Sequence, residues 1–538
     1  MSQTILRLCY YIIRDDFGSN VEQVAKVLLQ KGRLPLLLIA KFSKFTLSKT
    51  RECLFILIQH NLVYWAETKE GTRIGIYYSI EKDEILARLN FGIYIKNTND
   101  WVGCRGANEI IKSILLNGKA TFQGLIEDMK ISKRTNKYKD AKEIFLKMIE
   151  KNYITPVSFS DSKSAQDKAS EAEQRELAKM TSFIPTKKQM AEVKAKLAAD
   201  ISTDDISTGS KRKINSETLD RPVKQRKGEA TGEVTLDENQ YYRVNYEKFN
   251  VKARNKRFER FVTAHINKSA GVIMKTILNV ADDDKVDIIE SRSISSQRII
   301  KSIPVEKFEL LASQIKTERG KSTREALVRQ YLDYLIEDET KVLHKKDENL
   351  GGMYSVKYHE LCESLKREIF EDIILEKYGI MGLRIIRVLN SKQKLDEKSI
   401  TTFTLMSLSD VRQKLTELLN EGFVQIQEVP RSADRAPSRT YYLWYIDYQK
   451  CYEIILNKYY LTLANIHQVR FSQETLAATL LEKKENEEAL KQLNNNSYIQ
   501  LLTENEKKSL NDLEHLLNQL DTSQLRIIQD IILFRNFK

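Results

Sequence analysis

Apolar residues in this chain recur at helical spacing, break off, and then alternate, and the pattern returns several times. After Thr46, residues Leu47, Leu54 and Ile58 fall on one helical face. Thr46-Leu47-Ser48 aligns with Ser407-Leu408-Ser409, and Arg51, Leu54, Leu57 and Val63 align with Arg412, Leu415, Leu418 and Val424 without a gap. A Ser or Thr before an apolar run marks a helix start, because its side-chain oxygen accepts an otherwise unpaired N–H. Asn61 and Gly422 mark the stop, since both tolerate the left-handed turn. A strand follows (Leu62 to Ala66; Phe423 to Glu428), then a polar loop, then a strand rich in tyrosine. Helices followed by helix, strand, loop and strand predict a winged helix.

The tyrosine strand closes four segments: Ile76-Tyr77-Tyr78-Ser79-Ile80, Gln240-Tyr241-Tyr242-Arg243-Val244, Met353-Tyr354-Ser355-Val356 and Thr440-Tyr441-Tyr442-Leu443-Trp444. Repetition at this spacing means one supersecondary unit used several times. In the second copy the helix runs from Asn136 to Lys151. There Phe145, Met148 and Ile154 replace Leu54, Leu57 and Val63, and Asn152 ends the helix. The third copy is the weakest: Leu332 and Leu335 fit, but the strand after them is short and charged.

Between Ser158 and Glu238 large apolar residues become rare and Ser, Lys, Glu, Asp and Ala dominate, so this stretch is expected to bury no core. It interrupts a wing, with Tyr153 to Val157 before it and Gln240 to Tyr246 after it; its Ala-rich part, 171–199, is expected to form at most transient helix. Near the end, Leu510, Leu513, Leu517, Leu520, Gln524, Ile527, Ile531 and Phe534 step by three and four, a coiled-coil seam. A preceding helix over 473–493 and the turn signal Asn494-Asn495-Asn496-Ser497 complete a helical hairpin. Its seam fits a partner or the chain's own domains equally well.

The expected fold class is therefore mainly α with small β-wings: tandem winged-helix domains plus a C-terminal coiled-coil helical hairpin. Winged helix 1 covers 1–82. Winged helix 2 covers 83–157 and 239–250, split by a disordered insertion over 158–238. Winged helix 3 covers 251–360, winged helix 4 covers 361–447, and the coiled coil covers 448–538. The length of 538 residues holds these parts, and 19 Gly and 7 Pro suit a helical chain. No apolar run is long enough to span a bilayer, so no membrane partner is expected. Residues 1–14 are apolar but lack a basic leader and a small-residue cleavage site, which argues against a signal peptide. Five scattered cysteines fit a reducing compartment and no zinc site. A net charge of +13 is compatible with nucleic acid or with acidic protein partners.

Catalytic chemistry is not expected. Gly320-Lys321-Ser322 resembles the end of a phosphate-binding loop, but Ile315 stands where the first glycine belongs and the lead-in reads as helix. The six histidines show no metal-ligand spacing, and Asp282-Asp283-Asp284 has no second carboxylate motif beside it. No cofactor and no metal are predicted.

Binding candidates are clearer. Lys130, Lys133, Arg134, Lys137, Lys139 and Lys142 span the turn into the second recognition helix, where helix-turn-helix proteins meet phosphates. Lys41, Lys44 and Lys49 form a thinner version in the first copy. In the fourth wing Arg431, Arg435 and Arg439 recur every four residues beside Pro430 and Pro437, and arginine pairs with phosphate or carboxylate, so DNA and protein both remain open. Lys211, Arg212 and Lys213, with Lys224, Arg226 and Lys227 farther on, have the layout of a bipartite nuclear import signal.

The wing Glu428 to Asp447 and the amino-terminal run SKTRECLFILIQHNLV resemble the winged-helix subunit of the RNA polymerase III initiation heterotrimer, related to the large subunit of transcription factor IIE. The resemblance runs in order along the chain, with four extended winged helices, an insertion in the second and a terminal coiled coil. It implies a nuclear, non-catalytic subunit. Such a subunit lies beside the clamp of the largest subunit with two smaller heterotrimer partners, and works with initiation factors and promoter DNA. It implies a part in polymerase recruitment and duplex opening at tRNA, 5S rRNA and similar genes. Two other readings remain: a free-standing winged-helix repressor or chromatin factor, and a winged-helix scaffold that binds only protein.

Overall fold

The computed structural model describes residues 3–70, 73–130, 136–178, 240–282, 288–304, 308, 324–338, 340, 342–347, 352–430, 440–493 and 502–537. Helix predominates, with small antiparallel sheets, as the fold class expects. One compact unit comprises Ile12–Arg88 and Thr98–Val244; the other comprises Met1–Tyr11, Leu89–Asn97 and Asn245–Lys538.

In the first of these units, β1 (Leu34–Pro35), β2 (Val63–Glu70) and β3 (Arg73–Ile80) pair in the order β1-β3-β2. Strands β4 (Ala120–Thr121), β5 (Ile154–Pro156) and β6 (Tyr241–Val244) repeat it as β4-β6-β5. The recurrent tyrosines therefore lie on the middle strand. Tyr78 faces Leu34 on one side and Trp65 on the other; Tyr242 faces Ala120 and Pro156. A middle strand with one buried face favours alternating aromatics, and Tyr242 is buried while Tyr241 is exposed. The chain on either side of the long insertion thus meets in one wing.

Both recognition helices of this unit end alike. After Leu47–Gln59, Asn61 turns left-handed (φ 60°), its N–H donates to the Ile58 carbonyl (3.1 Å), and Leu62 N–H donates to the Leu57 carbonyl (2.9 Å). After Asn136–Glu150, Asn152 (φ 58°) donates to Ile149 (3.0 Å) and Tyr153 to Met148 (2.9 Å). These bonds satisfy the last helical carbonyls and aim the chain into its strand. The two regions lock together at the Leu47–Gln59 helix end. Gln59 Nε2 donates to the Lys119 carbonyl (2.8 Å), and Lys119 Nζ donates to the Ile58 carbonyl (3.2 Å). His60 packs there against Phe17, with ring centres 4.7 Å apart. Burial, followed by the Arg88 and Lys119 cations, lowers its pKa to about 4, so the imidazole is a neutral wedge at physiological pH.

The stretch over 158–238 departs from the expected disorder at its start. Phe159–Ser162 forms a 3₁₀ turn and Ala165–Ala178 a helix. Ser164 Oγ accepts from Asp167 N–H (3.1 Å) and donates to Asp167 Oδ2 (2.7 Å), capping that helix, while Arg33 holds Asp167 at 2.8 Å. A capped helix tethered by a distant arginine needs little apolar surface of its own, which is why composition alone misses it.

In the other unit, β7 (Ile294–Ser295), β8 (His344–Asp347) and β9 (Met353–Ser355) pair as β7-β9-β8, so the weakest copy carries the same strand arrangement. The fourth copy pairs β10 (Gln425–Pro430) with β11 (Thr440–Tyr445), and a single bridge between Leu395 and Trp444 stands where the third strand would be. Ser407 caps its recognition helix Leu408–Asn420 by accepting from Asp410 N–H (3.2 Å). Gly422 (φ 83°) and Phe423 then repeat the helix stop, donating to Leu419 and Leu418. Residues 250 and 251 lie inside the helix Tyr246–His265, and 360 and 361 inside the helix Tyr358–Lys392, so neither boundary read from sequence is a break in the backbone.

The terminal helices Tyr448–Leu476, Ala478–Leu493 and Glu504–Asn536 follow. Arg470 pairs with Asp521 (2.9 Å), Lys484 with Glu514 (2.6 Å), and Tyr452 packs on Phe534, so the last helix runs back along the other two. Its end is covered by the chain itself, with Phe534 in the core of the fourth region beside Phe370, Leu415 and Trp444. The buried seam shifts from the expected Ile527 to Ile528, where more than one neighbour must be met.

Candidate nucleic-acid and partner interfaces

The second recognition helix, Asn136–Glu150, carries exposed lysines at its start. Lys130 occupies the turn before it in a left-handed conformation (φ 53°), and Lys137 and Lys139 are exposed on its first turns. Lys142, one turn farther, is half-buried. Among the described residues none of these four lysines makes an ion pair. Tyr138 packs inward, edge-on to Phe122 at 5.8 Å, and so supports the helix rather than offering a ring to a base. Lys133 and Arg134 lie outside the described residues.

The first helix-turn-helix is chemically different. Lys41 and Lys44 are exposed, but Lys49 folds its ammonium over the Phe45 ring at 4.6 Å. The outward side of the recognition helix carries Phe55, 70% exposed, beside Ile56. The preceding helix, Leu36–Ser43, exposes Leu37 and Phe42. A basic rim around an apolar centre resembles the anatomy of a protein contact more than that of a phosphate cradle. The periodicity that identified this helix did not say which apolar residues would face outward.

The fourth recognition helix is nearly neutral. Arg412 lies 2.8 Å from Glu397, and Lys414 lies 2.7 Å from Glu417. At the turn before it Leu405 adopts φ 54° while 87% exposed, and Ile380 and Phe403 are exposed nearby in sequence or in the same helix pair. Strands β10 and β11 pair up to Pro430 opposite Thr440. Arg431, Arg435 and Arg439 lie outside the described residues, as do Lys211, Arg212, Lys213, Lys224, Arg226 and Lys227.

A further basic run, on the helix Tyr246–His265, is absorbed within the fold. Lys248 and Lys252 each reach Asp282 Oδ1 at 2.9 Å. Lys256 donates to Asn97 Oδ1 (2.6 Å), and Arg257 pairs with Asp530 (2.6 Å). Nothing in the local sequence marks these cations as internal, since their partners are far away in the chain. Asp282, at the edge of the aspartate run, caps a helix and faces two lysines.

Among the described residues no three His, Cys, Asp or Glu side chains come together to hold a metal ion, and no helix is long and apolar enough to cross a membrane. Burial raises the thiol pKa of Cys362 to about 11 and of Cys451 to about 12, so both stay protonated and unreactive at neutral pH.

Residues 7–68 match the RNA polymerase III subunit RPC82 helix-turn-helix domain, 143–365 match RNA polymerase III subunit RPC82, and 370–446 match the POLR3C C-terminal winged-helix domain. The chain belongs to the RPC82/RPC3 family of RNA polymerase III subunits. It is 25% identical to DNA-directed RNA polymerase III subunit RPC3 of Rattus norvegicus over 557 residues, covering 100% of this chain and 98% of the relative. The RPC3 subunit of Homo sapiens is 23% identical over 558 residues, with 100% and 98% covered. The Aspergillus niger subunit is 30% identical over 281 residues, 45% of each chain. The RPC82 match over 143–365 reaches from the second recognition helix to the Tyr358–Lys392 helix, so the family spans both arms of the split wing. Arg431, Arg435 and Arg439 fall within the POLR3C match, while Lys130, Lys137, Lys139 and Lys142 precede the RPC82 match.

Proposed function

We propose that the chain serves RNA polymerase III as a non-catalytic, nuclear subunit in transcription initiation, where its winged helices divide the labour between DNA and protein. Membership of the RPC82/RPC3 family supports the polymerase assignment. The division of labour rests on one contrast: the second recognition helix offers exposed lysines without ion pairs, whereas the first offers Phe55 and Ile56. In this reading the second helix lies along DNA phosphates. The first helix-turn-helix and the exposed apolar corner at Leu405 meet other polymerase subunits, including the clamp and two smaller partners. Lys41, Lys44 and Lys49 then rim a protein contact, and Arg431, Arg435 and Arg439 extend the fourth wing toward a partner or nearby DNA.

Melting a duplex costs roughly 1–2 kcal/mol of stacking per base-pair step. A subunit without a nucleotide motor contributes to opening only by binding the open state better than the closed one. Phosphate contacts release counterions, so affinity falls with salt in proportion to their number. Replacing Lys130, Lys137 and Lys139 with alanine should weaken binding to unrelated duplexes by a similar factor and lower the salt slope by about two to three. An unchanged slope would remove the second helix from the DNA path.

A further inference from the structure

The outward side of the first helix-turn-helix is apolar at its centre and basic around it. On the helix Leu47–Gln59, Thr50, Cys53, Leu54 and Leu57 enter the core, which leaves Ser48, Glu52, Phe55 and Ile56 outside. The helix Leu36–Ser43 likewise buries Ile39, Ala40 and Ser43 and leaves Leu37 (69% exposed), Lys41 and Phe42 outside. Large apolar side chains held in water on two consecutive helices mark a contact surface.

Charge limits what can cover this surface. Between Lys31 and Ile56 six basic residues stand against one acid, Glu52, whose carboxylate accepts from Ser48 Oγ (3.3 Å). Arg33 is held by Asp167, but among the described residues Lys41, Lys44 and Arg51 make no ion pair. Lys31 and Lys49 rest their ammonium groups over Phe42 (5.6 Å) and Phe45 (4.6 Å). The fourth recognition helix has a different balance, because Glu397 and Glu417 pair its Arg412 and Lys414. A neutral partner seated on the first face would strip water from unpaired cations without compensation. A partner bearing carboxylates would meet them, and would draw the two lysines away from the rings they cover. Both outward helices bond their own backbone, so a partner gains side-chain contacts there and no strand pairing, which suits a helix laying its apolar face on the anchors.

We infer, resting on the reading of the first helix-turn-helix as a protein contact, that this face receives an acidic amphipathic helix from a partner. Apolar residues at i, i+3, i+4 and i+7 of that helix cover Phe55, Ile56 and Leu37, and its carboxylates meet Lys41, Lys44 and Arg51.

The test uses the tagged chain in its purified native assembly, with photoreactive p-benzoylphenylalanine replacing Leu37 so that Phe55 stays intact. Irradiation followed by mass-spectrometric sequencing of the linked peptide should recover a partner segment with net negative charge and apolar residues at helical spacing. Lys41→Glu with Lys44→Glu, and separately Phe55→Ser, should each lower the yield of that link about tenfold or more at an unchanged melting temperature. A link to a neutral or basic partner segment, or a yield indifferent to the charge reversal, overturns the acidic helix while the protein contact stands. A link to nucleic acid, to this chain itself, or to nothing at all removes the partner contact from this face and the inference with it.

Discussion

Replacing Gly118 with alanine should destabilise the Ile12–Arg88 and Thr98–Val244 unit by about 3 kcal/mol. Gly118 ends the helix Ala107–Asn117 at φ 76° and ψ −63°, where an L side chain is strained. An added Cβ would fall 2.6 Å from the Gln59 carbonyl oxygen and 2.8 Å from His60 Cα. Both are backbone atoms, so neither can swing aside as a side chain would. Relief requires separating the first and second winged-helix regions, at the expense of the Gln59 and Lys119 hydrogen bonds and the His60–Phe17 contact. Strain and overpacking each cost about 1–3 kcal/mol, and together they are a large part of a typical domain's stability. Chemical unfolding monitored by hydrogen exchange should show amides of 47–59 and 107–117 losing protection together. A loss below about 1 kcal/mol would show that the junction relaxes freely.

Asp282→Asn should cost about 3 kcal/mol for a different reason. Asp282 is left-handed (φ 39°) at the end of Lys268–Ala281, a conformation asparagine also adopts, so the substitution removes charge and leaves the cap shape. Lys248, with a side chain only 1% exposed, and Lys252 both face this carboxylate. Removing one member of a buried pair typically costs 3–5 kcal/mol, and the half exposure of Asp282 places it at the lower end. Burial would raise the Asp282 pKa, but Lys252 and Lys248 outweigh it and hold the carboxyl below its usual value. A depressed carboxyl stabilises the native state fully above its unfolded value, near pH 4, and that contribution disappears as pH falls through the folded value. The wild type should therefore lose stability below about pH 4, and the Asn variant should lack this part of the acid limb. Equal acid limbs in both proteins would place the sensitivity elsewhere.

Much of the fold was legible because the repeated unit carries its own punctuation. Thr46 and Ser407 cap helices, and Asn61, Asn152 and Gly422 stop them in the left-handed turn. These are local signals, set by neighbouring backbone groups. The tyrosine strand was equally visible, although its place in the middle of the three-stranded sheets was not, because pairing with β1, β4 and β7 depends on residues far upstream. The helices Tyr246–His265 and Tyr358–Lys392 run through the boundaries drawn from sequence, since neither carries a stop signal there. The helix beginning at Ala165 did carry a start signal: Ser164 and Asp167 have capping spacing.

The candidate site was less legible. The lysines around Lys137 stood out because exposed basic residues cluster in sequence. Phe55 did not, because an aromatic in an amphipathic helix looks the same whether it enters a core or points outward; its exposure depends on which neighbours the other helices bring. Conversely, nothing in the local sequence marks Lys248 and Arg254 as internal, yet distant Asp282, Tyr358 and Phe537 enclose them.

The central claim is that this chain works as a subunit of RNA polymerase III. It is tested most directly by purifying the natively expressed, tagged chain after nuclease treatment and identifying by mass spectrometry what accompanies it. The expected result is the set of RNA polymerase III subunits in equal molar amounts with the tagged chain. Recovery of the chain alone, or with chromatin proteins and no polymerase, would contradict it.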